Sequence, residues 1–254
     1  LQLPIKLAAV LVGRDVGSIH YLKQKEKAAQ RIGISFEVIQ FPELIPTAAL
    51  REKVLDISRN PQNTGIIVQL PLPSHIETAA ILDSVPKEKD VDVLSEEAFG
   101  AFVDGHSKIL PPVVGAIEFI LERYNIEPRG KVVVIVGSGR LVGIPSMVWF
   151  SHQGSIVCLA GGRNADDISR WTRQADILVS GVGSPRLIKA NMVKDGVVVL
   201  DAGYEVVNGR PVGDVDFESV ASKASLITQV PGGIGPLTVA MVFRNLLTLA
   251  RLQK

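Results

Sequence analysis

The chain has 254 residues, of which 46% are hydrophobic and 21% are charged. This is long enough for two hydrophobic cores, and the composition argues against disorder. The 27 basic and 26 acidic residues give a formal net charge of +1 without a long block of like charge, so neither nucleic acid nor a membrane surface is predicted as a partner. A small-molecule ligand is expected instead.

The single cysteine and the length of the apolar runs indicate where in the cell the protein is located. The apolar runs are well short of the roughly 18 residues that a membrane span needs. The first residues, 1–4, show no basic segment or signal-like apolar stretch. The single cysteine, Cys158, lies in an apolar run and is predicted to be a buried, unreactive thiol. It can form no internal disulfide, which fits a reducing compartment. We therefore expect a cytoplasmic or matrix-like location.

The first part of the chain alternates strand-like and helix-like segments, which is typical of a parallel α/β domain. Gly33 and Pro86 are the predicted stops of the first and third helices. A polar, irregular segment is expected over residues 90–107. The predicted strands cover residues 8–12, 35–41 and 65–70, and the predicted helices cover residues 18–32, 47–58 and 76–85.

A second unit follows a predicted helix over 116–124 and a turn over 125–130. It begins with an entirely apolar strand over 132–136, followed directly by a glycine-rich turn and a helix to about residue 152. Further predicted strands complete a doubly wound sheet, and the last predicted helix is apolar on much of its circumference. These strands cover residues 156–160, 176–180 and 197–201, and the helix covers residues 237–252.

The glycine-rich turn reads Gly137-Ser138-Gly139-Arg140-Leu141-Val142-Gly143. A strand that ends in glycines and opens a helix exposes backbone N–H groups at the positive end of the helix dipole, which suits a pyrophosphate. The alternative is a tight turn with no ligand, since a lone match of this kind is a weak signal.

Three other segments are candidates for one active site. Tyr21-Leu22-Lys23-Gln24-Lys25 places an aromatic ring and an ammonium one helical turn apart. Val68-Gln69-Leu70 ends an apolar run with a lone amide before proline. Pro231-Gly232-Gly233-Ile234-Gly235 forms a rigid turn of bare backbone that a flat ligand can approach closely. Taken singly, such a lysine is usually a solvated helix residue and such a glutamine a strand-end cap.

With these motifs at these spacings, the chain from about Leu7 onward resembles the methylenetetrahydrofolate dehydrogenase/cyclohydrolase family. The resemblance implies an α/β fold of two domains, a parallel α/β substrate domain and an inserted Rossmann-type doubly wound domain, with a cleft between them. The folate-binding catalytic domain would comprise residues 1–112 and 236–254, and the NAD(P)-binding domain residues 113–235. The implied reactions are oxidation of 5,10-methylenetetrahydrofolate to the 5,10-methenyl form and its hydrolysis to 10-formyltetrahydrofolate. No metal is implied.

The resemblance also assigns roles. Lys25 would carry the proton in hydrolysis, Tyr21 would stack on or flank the pterin or p-aminobenzoate ring, and Gln69 would hydrogen-bond Lys25 and orient it. Asp92 would bind the amino-pyrimidine edge of the pterin. The family has glycine after this aspartate, whereas this chain has Val93, and a β-branched residue tolerates a positive φ poorly. The implied substrate-binding set is Tyr21, Leu22, Lys23, Gln24, Lys25, Val68, Gln69, Leu70, Asp92, Pro231, Gly232, Gly233, Ile234 and Gly235.

The cofactor is expected to be NADP, with NAD as the alternative. Ser138 stands where the family has an arginine for the 2′-phosphate, and Gly161-Gly162 where it has His-Ser. Yet no acidic residue stands at the end of the second strand of this unit, where it would bind a free 2′-hydroxyl. Arg140 and Arg163 could instead bind a phosphate bidentately. A solvated loop charge at Arg163 is an equally open interpretation. The implied cofactor-binding residues are Gly137, Ser138, Gly139, Arg140, Val142, Gly143, Arg163, Tyr204 and Thr238.

Other departures leave two rival functions open. Residues 111–114 replace the family's Pro-Cys-Thr-Pro, and Tyr204 replaces an isoleucine near the cofactor. The acids of segment 213–217 are expected to cap the following helix. One rival is an NAD-linked dehydrogenase without hydrolase activity. The other is a degenerate folate-fold domain that binds without turnover, and retention of the lysine, tyrosine, glutamine and aspartate argues against it. The resemblance further implies a homodimer through the cofactor domain.

Overall fold

A computed structural model describes residues 5–161 and 165–253 of the chain. The chain divides into two compact units, one of residues 1–112 and 239–254 and the other of residues 113–238. The division within the last helix follows Thr238, three positions after the boundary expected from the sequence. Within the described ranges, no helix is both long enough and apolar enough to cross a membrane.

The first unit contains a three-stranded parallel sheet. Its elements are β1 (Lys6–Val12), α1 (Val16–Arg31), β2 (Ser35–Phe41), α2 (Thr47–Arg59), β3 (Gly65–Val68), α3 (Thr78–Leu82) and α4 (Glu96–Val103). The strand order is β2-β1-β3, and the central strand β1 is buried at every residue after Lys6. A core of aliphatic side chains, including Val10, Leu50, Val54 and Ile66, packs helices against this sheet.

Helix α4 lies in the segment that the sequence analysis expected to be irregular, so that expectation was wrong. Ser95 is the N-cap residue, and its hydroxyl accepts a hydrogen bond from the backbone N–H of Ala98 at 3.3 Å. Two glutamates in the first turn interact favourably with the positive end of the helix dipole. Ala98 and Phe102 are buried, which anchors the helix despite its polar start.

The second unit contains a five-stranded parallel sheet in the order β10-β7-β6-β4-β5 and a separate antiparallel hairpin, β8-β9. Its elements, with the last helix, are α5 (Pro112–Arg123), β4 (Val132–Val136), α6 (Gly143–His152), β5 (Ile156–Ala160), α7 (Ala165–Thr172), β6 (Ile177–Ser180), β7 (Val198–Asp201), β8 (Glu205–Val207), β9 (Arg210–Val212), α8 (Phe217–Ala221), β10 (Leu226–Ile227) and α9 (Ile234–Leu252).

This strand order places a topological switch point between β4 and β6. Connections run to opposite sides of the sheet from that point, and ligands of doubly wound folds bind outside the carboxyl ends of the strands there. The glycine-rich turn after β4 and the Gly181-Val182-Gly183 segment after β6 therefore lie where a nucleotide site is expected.

Two expectations differ from the structure in this unit. Cys158, on the edge strand β5, is half-buried rather than buried. Asp214 does not cap helix α8, and Asp216, which holds the N-cap position, makes no side-chain capping bond. The reason is that the carboxylate of Asp214 is buried and accepts bonds from another loop.

Candidate active site

Helix α1 carries the candidate lysine. The helix begins after Asp15, whose carboxylate accepts a hydrogen bond from the backbone N–H of Ser18 at 2.7 Å. Tyr21 and Lys25 follow on this helix, one turn apart. Lys25 is only 8% exposed, which is unusual for a lysine. The sequence pattern alone could not distinguish this burial from a solvated helix face.

The neighbouring positions on α1 point elsewhere. Leu22 is 3% exposed and belongs to the core. Lys23 is exposed, because it is rotated by about 200° from both Tyr21 and Lys25 on the helix. The amide of Gln24 lies 2.7 Å from the His20 ring, at the surface. The structure therefore does not bring Lys23 together with the buried lysine.

Gln69 holds the buried ammonium. Lys25 Nζ donates to Gln69 Oε1 at 3.2 Å, which is the contact that the family resemblance led us to expect. The Gln69 Nε2 donates to the carbonyl of Leu70 at 2.8 Å, and its backbone N–H donates to the carbonyl of Val10 at 2.9 Å. These bonds leave the amide oxygen facing Lys25. Gln69 thus follows β3 directly, with its orientation set by backbone groups at both ends.

Asp92 supplies a negative charge that acts on Lys25. Burial lowers the pKa of Lys25 below its ordinary value, and the negative charge of Asp92 acts in the opposite direction. Burial also raises the pKa of Asp92, and the charge of Lys25 opposes that shift. The two groups therefore stabilise each other's ionised forms within the first unit.

The segment around Asp92 is held by residues that the sequence analysis did not identify. The buried side chain of Asn245, on α9, donates to the carbonyls of Val91 at 2.9 Å and Leu110 at 2.7 Å. Val93 has φ of 58°, so the left-handed conformation is present even though glycine is absent. The carboxylate of Asp90 closes the same turn.

The glycine-rich turn of the second unit packs tightly at both ends. A Cβ on Gly137, where φ is 101°, would lie 2.8 Å from the carbonyl oxygen of Gly181. A Cβ on Gly143 would lie 1.9 Å from the carbonyl oxygen of Gly137. Ser138, Gly139 and the other residues between the two are exposed or half-buried. Bare backbone opening helix α6 fits the pyrophosphate of a nicotinamide dinucleotide.

Two buried carboxylates hold the loops after β6 and β7, and neither was predicted to do so. Asp214 accepts bonds from the Ser180 hydroxyl at 2.8 Å and from the backbone N–H groups of Val182 and Ser184 at 2.7 Å each. Asp201 accepts from the backbone N–H groups of Gly203, Asp214 and Val215. Burial, followed by the nearby charge of Asp214, raises the pKa of Asp201 to about 6. The two carboxylates thus rigidify the carboxyl edge of this sheet.

The remaining candidates also lie in the second unit. Gly232 has φ of 112°, and a Cβ on Gly233 would lie 2.6 Å from the carbonyl oxygen of Gln229, so this turn requires glycine. Ile234 and Gly235 are already helical, because α9 begins earlier than predicted. The Thr238 hydroxyl donates to the carbonyl of Ile234 at 3.0 Å. Tyr204 is half-buried after β7, and Arg163 lies outside the described residues.

The first unit is a parallel α/β unit with a buried lysine that is bonded to an amide and influenced by a carboxylate charge. The second is a doubly wound unit with a glycine-rich turn at its switch point. Together they define a nicotinamide-dependent α/β enzyme. Residues 2–92 match the tetrahydrofolate dehydrogenase/cyclohydrolase catalytic domain, and residues 111–254 match the NAD(P)-binding domain of the same family. The chain belongs to the tetrahydrofolate dehydrogenase/cyclohydrolase family.

Individual relatives are similar to this chain over nearly its whole length. The bifunctional protein FolD of Nautilia profundicola is 42% identical over 246 residues, covering 96% of this chain and 86% of the relative. The structure resembles that of the bifunctional FolD methylenetetrahydrofolate dehydrogenase/cyclohydrolase from Campylobacter jejuni, with a TM-score of 0.93, 37% identity, and coverage of 98% of this chain and 89% of that one. The FolD of Trypanosoma brucei, solved with NADP cofactor and an inhibitor, gives a TM-score of 0.92 at 32% identity, with coverage of 98% and 87%.

Proposed function

We propose that this protein oxidises 5,10-methylenetetrahydrofolate to 5,10-methenyltetrahydrofolate with NADP⁺ and hydrolyses the product to 10-formyltetrahydrofolate. The observation that carries the proposal is the buried Lys25 amine, which is bonded to Gln69 and influenced by the charge of Asp92, in a chain whose two parts match the catalytic and NAD(P)-binding domains of this family. We assign folate binding to the first unit and cofactor binding to the second.

Positioning accounts for most of the first reaction. Hydride transfer from the methylene carbon needs little acid or base, and the bound nicotinamide supplies the hydride acceptor. Asp92 would accept hydrogen bonds from the amino-pyrimidine edge of the pterin, and Tyr21 would flank the ring system.

Hydrolysis needs proton transfer, and Lys25 would provide it. A lysine amine whose pKa is lowered by burial is neutral more often than an exposed one, so it can take a proton from the attacking water. The resulting ammonium can return a proton to the departing ring nitrogen. Gln69 would keep the amine pointed at the reacting carbon through its 3.2 Å bond.

The direct test follows the absorbance of the methenyl product. Methylenetetrahydrofolate is supplied with NADP⁺ or with NAD⁺, and the rise and decay of methenyl absorbance report oxidation and hydrolysis separately. The proposal expects turnover that is faster with NADP⁺, followed by decay. Turnover with NAD⁺ alone and no decay would favour the dehydrogenase-only alternative, and absence of turnover with either cofactor would favour a binding domain.

Replacing Asp92 with asparagine should shift the pH dependence of hydrolysis toward lower pH. The negative charge of Asp92 raises the pKa of Lys25, so removing that charge lowers this pKa further. Because the neutral amine is the proposed base, the rising limb of the rate profile moves with the pKa of Lys25. Weaker folate binding should accompany the shift, since a charged hydrogen-bond acceptor is lost.

The matched control for this charge removal is Glu26→Gln. Glu26 is adjacent to the lysine on α1 but exposed, so its charge is screened by solvent. The pH–rate profile of Glu26→Gln should coincide with that of the parent. A profile for Asp92→Asn that keeps the parent midpoint would show that the two groups are not electrostatically coupled.

Replacing Arg163 with alanine should weaken NADP binding by about 1.5–3 kcal/mol, the range for a hydrogen bond to a charged group, and leave NAD binding nearly unchanged. The reason is that no acidic residue stands at the end of β5, where one would bind a free 2′-hydroxyl, while arginines occur at positions 140 and 163. Calorimetric titration of each cofactor measures the effect, with Arg140→Ala as the comparison. An Arg163 variant with unchanged NADP affinity would leave this arginine without a role in cofactor choice.

Assembly and location complete the proposal. We infer a homodimer through the second unit from the family resemblance, and light scattering of the purified protein tests it. The single cysteine fits a reducing compartment such as the cytoplasm, which fractionation of cells expressing the tagged protein tests.

A further inference from the structure

The turn that carries Asp92 is closed by a more deeply buried carboxylate, that of Asp90, which is 4% exposed. Its Oδ2 accepts three hydrogen bonds, from the backbone N–H of Leu94 at 2.8 Å, the backbone N–H of Ser95 at 2.7 Å and the hydroxyl of Ser95 at 2.8 Å. All three donors follow Val93 in the chain. The bonds therefore fold the chain back over Asp92 and Val93.

Val93 occupies a conformation that its side chain disfavours. Its φ is 58°, in the left-handed region, where the Cβ of an L-residue lies too close to a backbone carbonyl oxygen. Such a conformation persists only where the surroundings impose it. Here the isopropyl group is 1% exposed, and the next two residues are bonded to Asp90. Burial and the carboxylate together hold the strained residue.

The chain is fixed on the other side of Asp92 as well. The backbone N–H of Ile66, in β3, donates to the carbonyl of Lys89 at 2.7 Å. The side chain of Asn245 donates to the carbonyl of Val91 at 2.9 Å. The part of the turn that follows Asp92 is held by the Asp90 carboxylate, together with a longer bond of 3.4 Å from the backbone N–H of Val93 to the Asp90 carbonyl.

We propose that Asp90 is a positioning residue, whose three bonds hold Val93 in its left-handed conformation and thereby fix the position of Asp92. The proposal rests on the function proposed above, in which Asp92 binds folate beside Lys25. In this chain a buried carboxylate and a buried valine together do what a glycine could do unaided, because glycine reaches positive φ without a steric cost.

The test is a rescue experiment. Asp90→Asn should lower the rate of methenyltetrahydrofolate hydrolysis by about 10²-fold and raise the KM for folate, as expected for a displaced binding group. Adding Val93→Gly in the same chain should recover most of the lost rate, because glycine adopts the left-handed conformation without help from the Asp90 bonds. A general loss of stability would not be rescued by a glycine, which removes a buried side chain.

Asp83→Asn is the matched control. The carboxylate of Asp83 accepts a bond from the backbone N–H of Glu96 at 2.8 Å, at the start of helix α4, but Asp83 is exposed. Its hydrolysis rate should stay within about twofold of the parent, as for most surface substitutions. Equal losses in the two asparagine variants, or a double variant no faster than Asp90→Asn, would overturn the proposal.

Hydrogen exchange separates this proposal from the proposed function. In Asp90→Asn, the peptide containing the amides of Leu94 and Ser95 should exchange faster than in the parent, and Val93→Gly should slow it again. Exchange in Asp90→Asn that equals that of the parent would contradict the proposed role of the three Asp90 bonds, even if the enzyme is active. A parent protein without hydrolase activity would contradict the proposed function instead. If Asp90→Asn does not fold, Ser95→Ala, which removes one of the three donors, takes its place in both measurements.

Discussion

Replacing Lys25 with methionine is expected to reduce hydrolysis of methenyltetrahydrofolate by about 10²–10⁴-fold, the usual contribution of a general acid or base. Methionine fills the buried volume of the lysine stem but carries no proton. Oxidation should fall much less, because hydride transfer needs no proton carrier. The measurement is single-turnover decay of the methenyl absorbance, corrected for the uncatalysed rate.

Loss of the Lys25 charge has two further consequences in this variant. Burial disfavours the Lys25 ammonium, so methionine removes a desolvation cost. It also removes the positive charge that lowers the pKa of Asp92, so that carboxyl should titrate at higher pH. Lys27→Met, an exposed change on the same helix, is the control and should keep full hydrolysis. A Lys25→Met enzyme that hydrolyses at the parent rate would remove the lysine from the mechanism.

Strands with continuous apolar runs were predicted accurately from the sequence. The strands at Val132–Val136 and Ile156–Ala160 have the predicted bounds, because apolar residues flanked by glycine or polar residues leave little choice of register. The hairpin β8-β9 was not predicted, although it carries a strong signal. Asn208 and Gly209 form its turn with φ of 51° and 75°, as a type I′ turn requires.

The candidate site was predictable where its geometry is local or rests on the resemblance. The i, i+4 spacing of Tyr21 and Lys25 is local, and the bond from Lys25 to Gln69 was expected from the family. Residues that position the site were missed because their partners are distant in sequence. Asn245 lies 154 positions from Val91, and no periodicity connects them. The three bonds of Asp90 are local, but only the positive φ of Val93 shows what they hold.

Alanine at Gly143 is expected to damage the second unit and the cofactor-dependent reaction together. The added Cβ would lie 1.9 Å from the carbonyl oxygen of Gly137 and 3.0 Å from the Cα of Ser138, and both are backbone atoms that cannot rotate away. The turn must shift, at about 1–3 kcal/mol or more for an overpacked buried position. Oxidation should fall further than hydrolysis, because Lys25 and Gln69 belong to the first unit.

Gly139→Ala separates this packing effect from the mere addition of a methyl group. Gly139 lies in the same turn, but a Cβ there meets no atom within 4 Å. Trp149 and Trp171, the two tryptophans of the chain, both lie in the second unit, so thermal unfolding followed by tryptophan fluorescence reports on that unit. The midpoint should drop for Gly143→Ala and stay near the parent value for Gly139→Ala, with weaker NADP binding in titrations of Gly143→Ala. Equal midpoints and equal NADP affinity for Gly143→Ala and the parent would mean that the turn accommodates the methyl group, so its close packing would not define the nucleotide site.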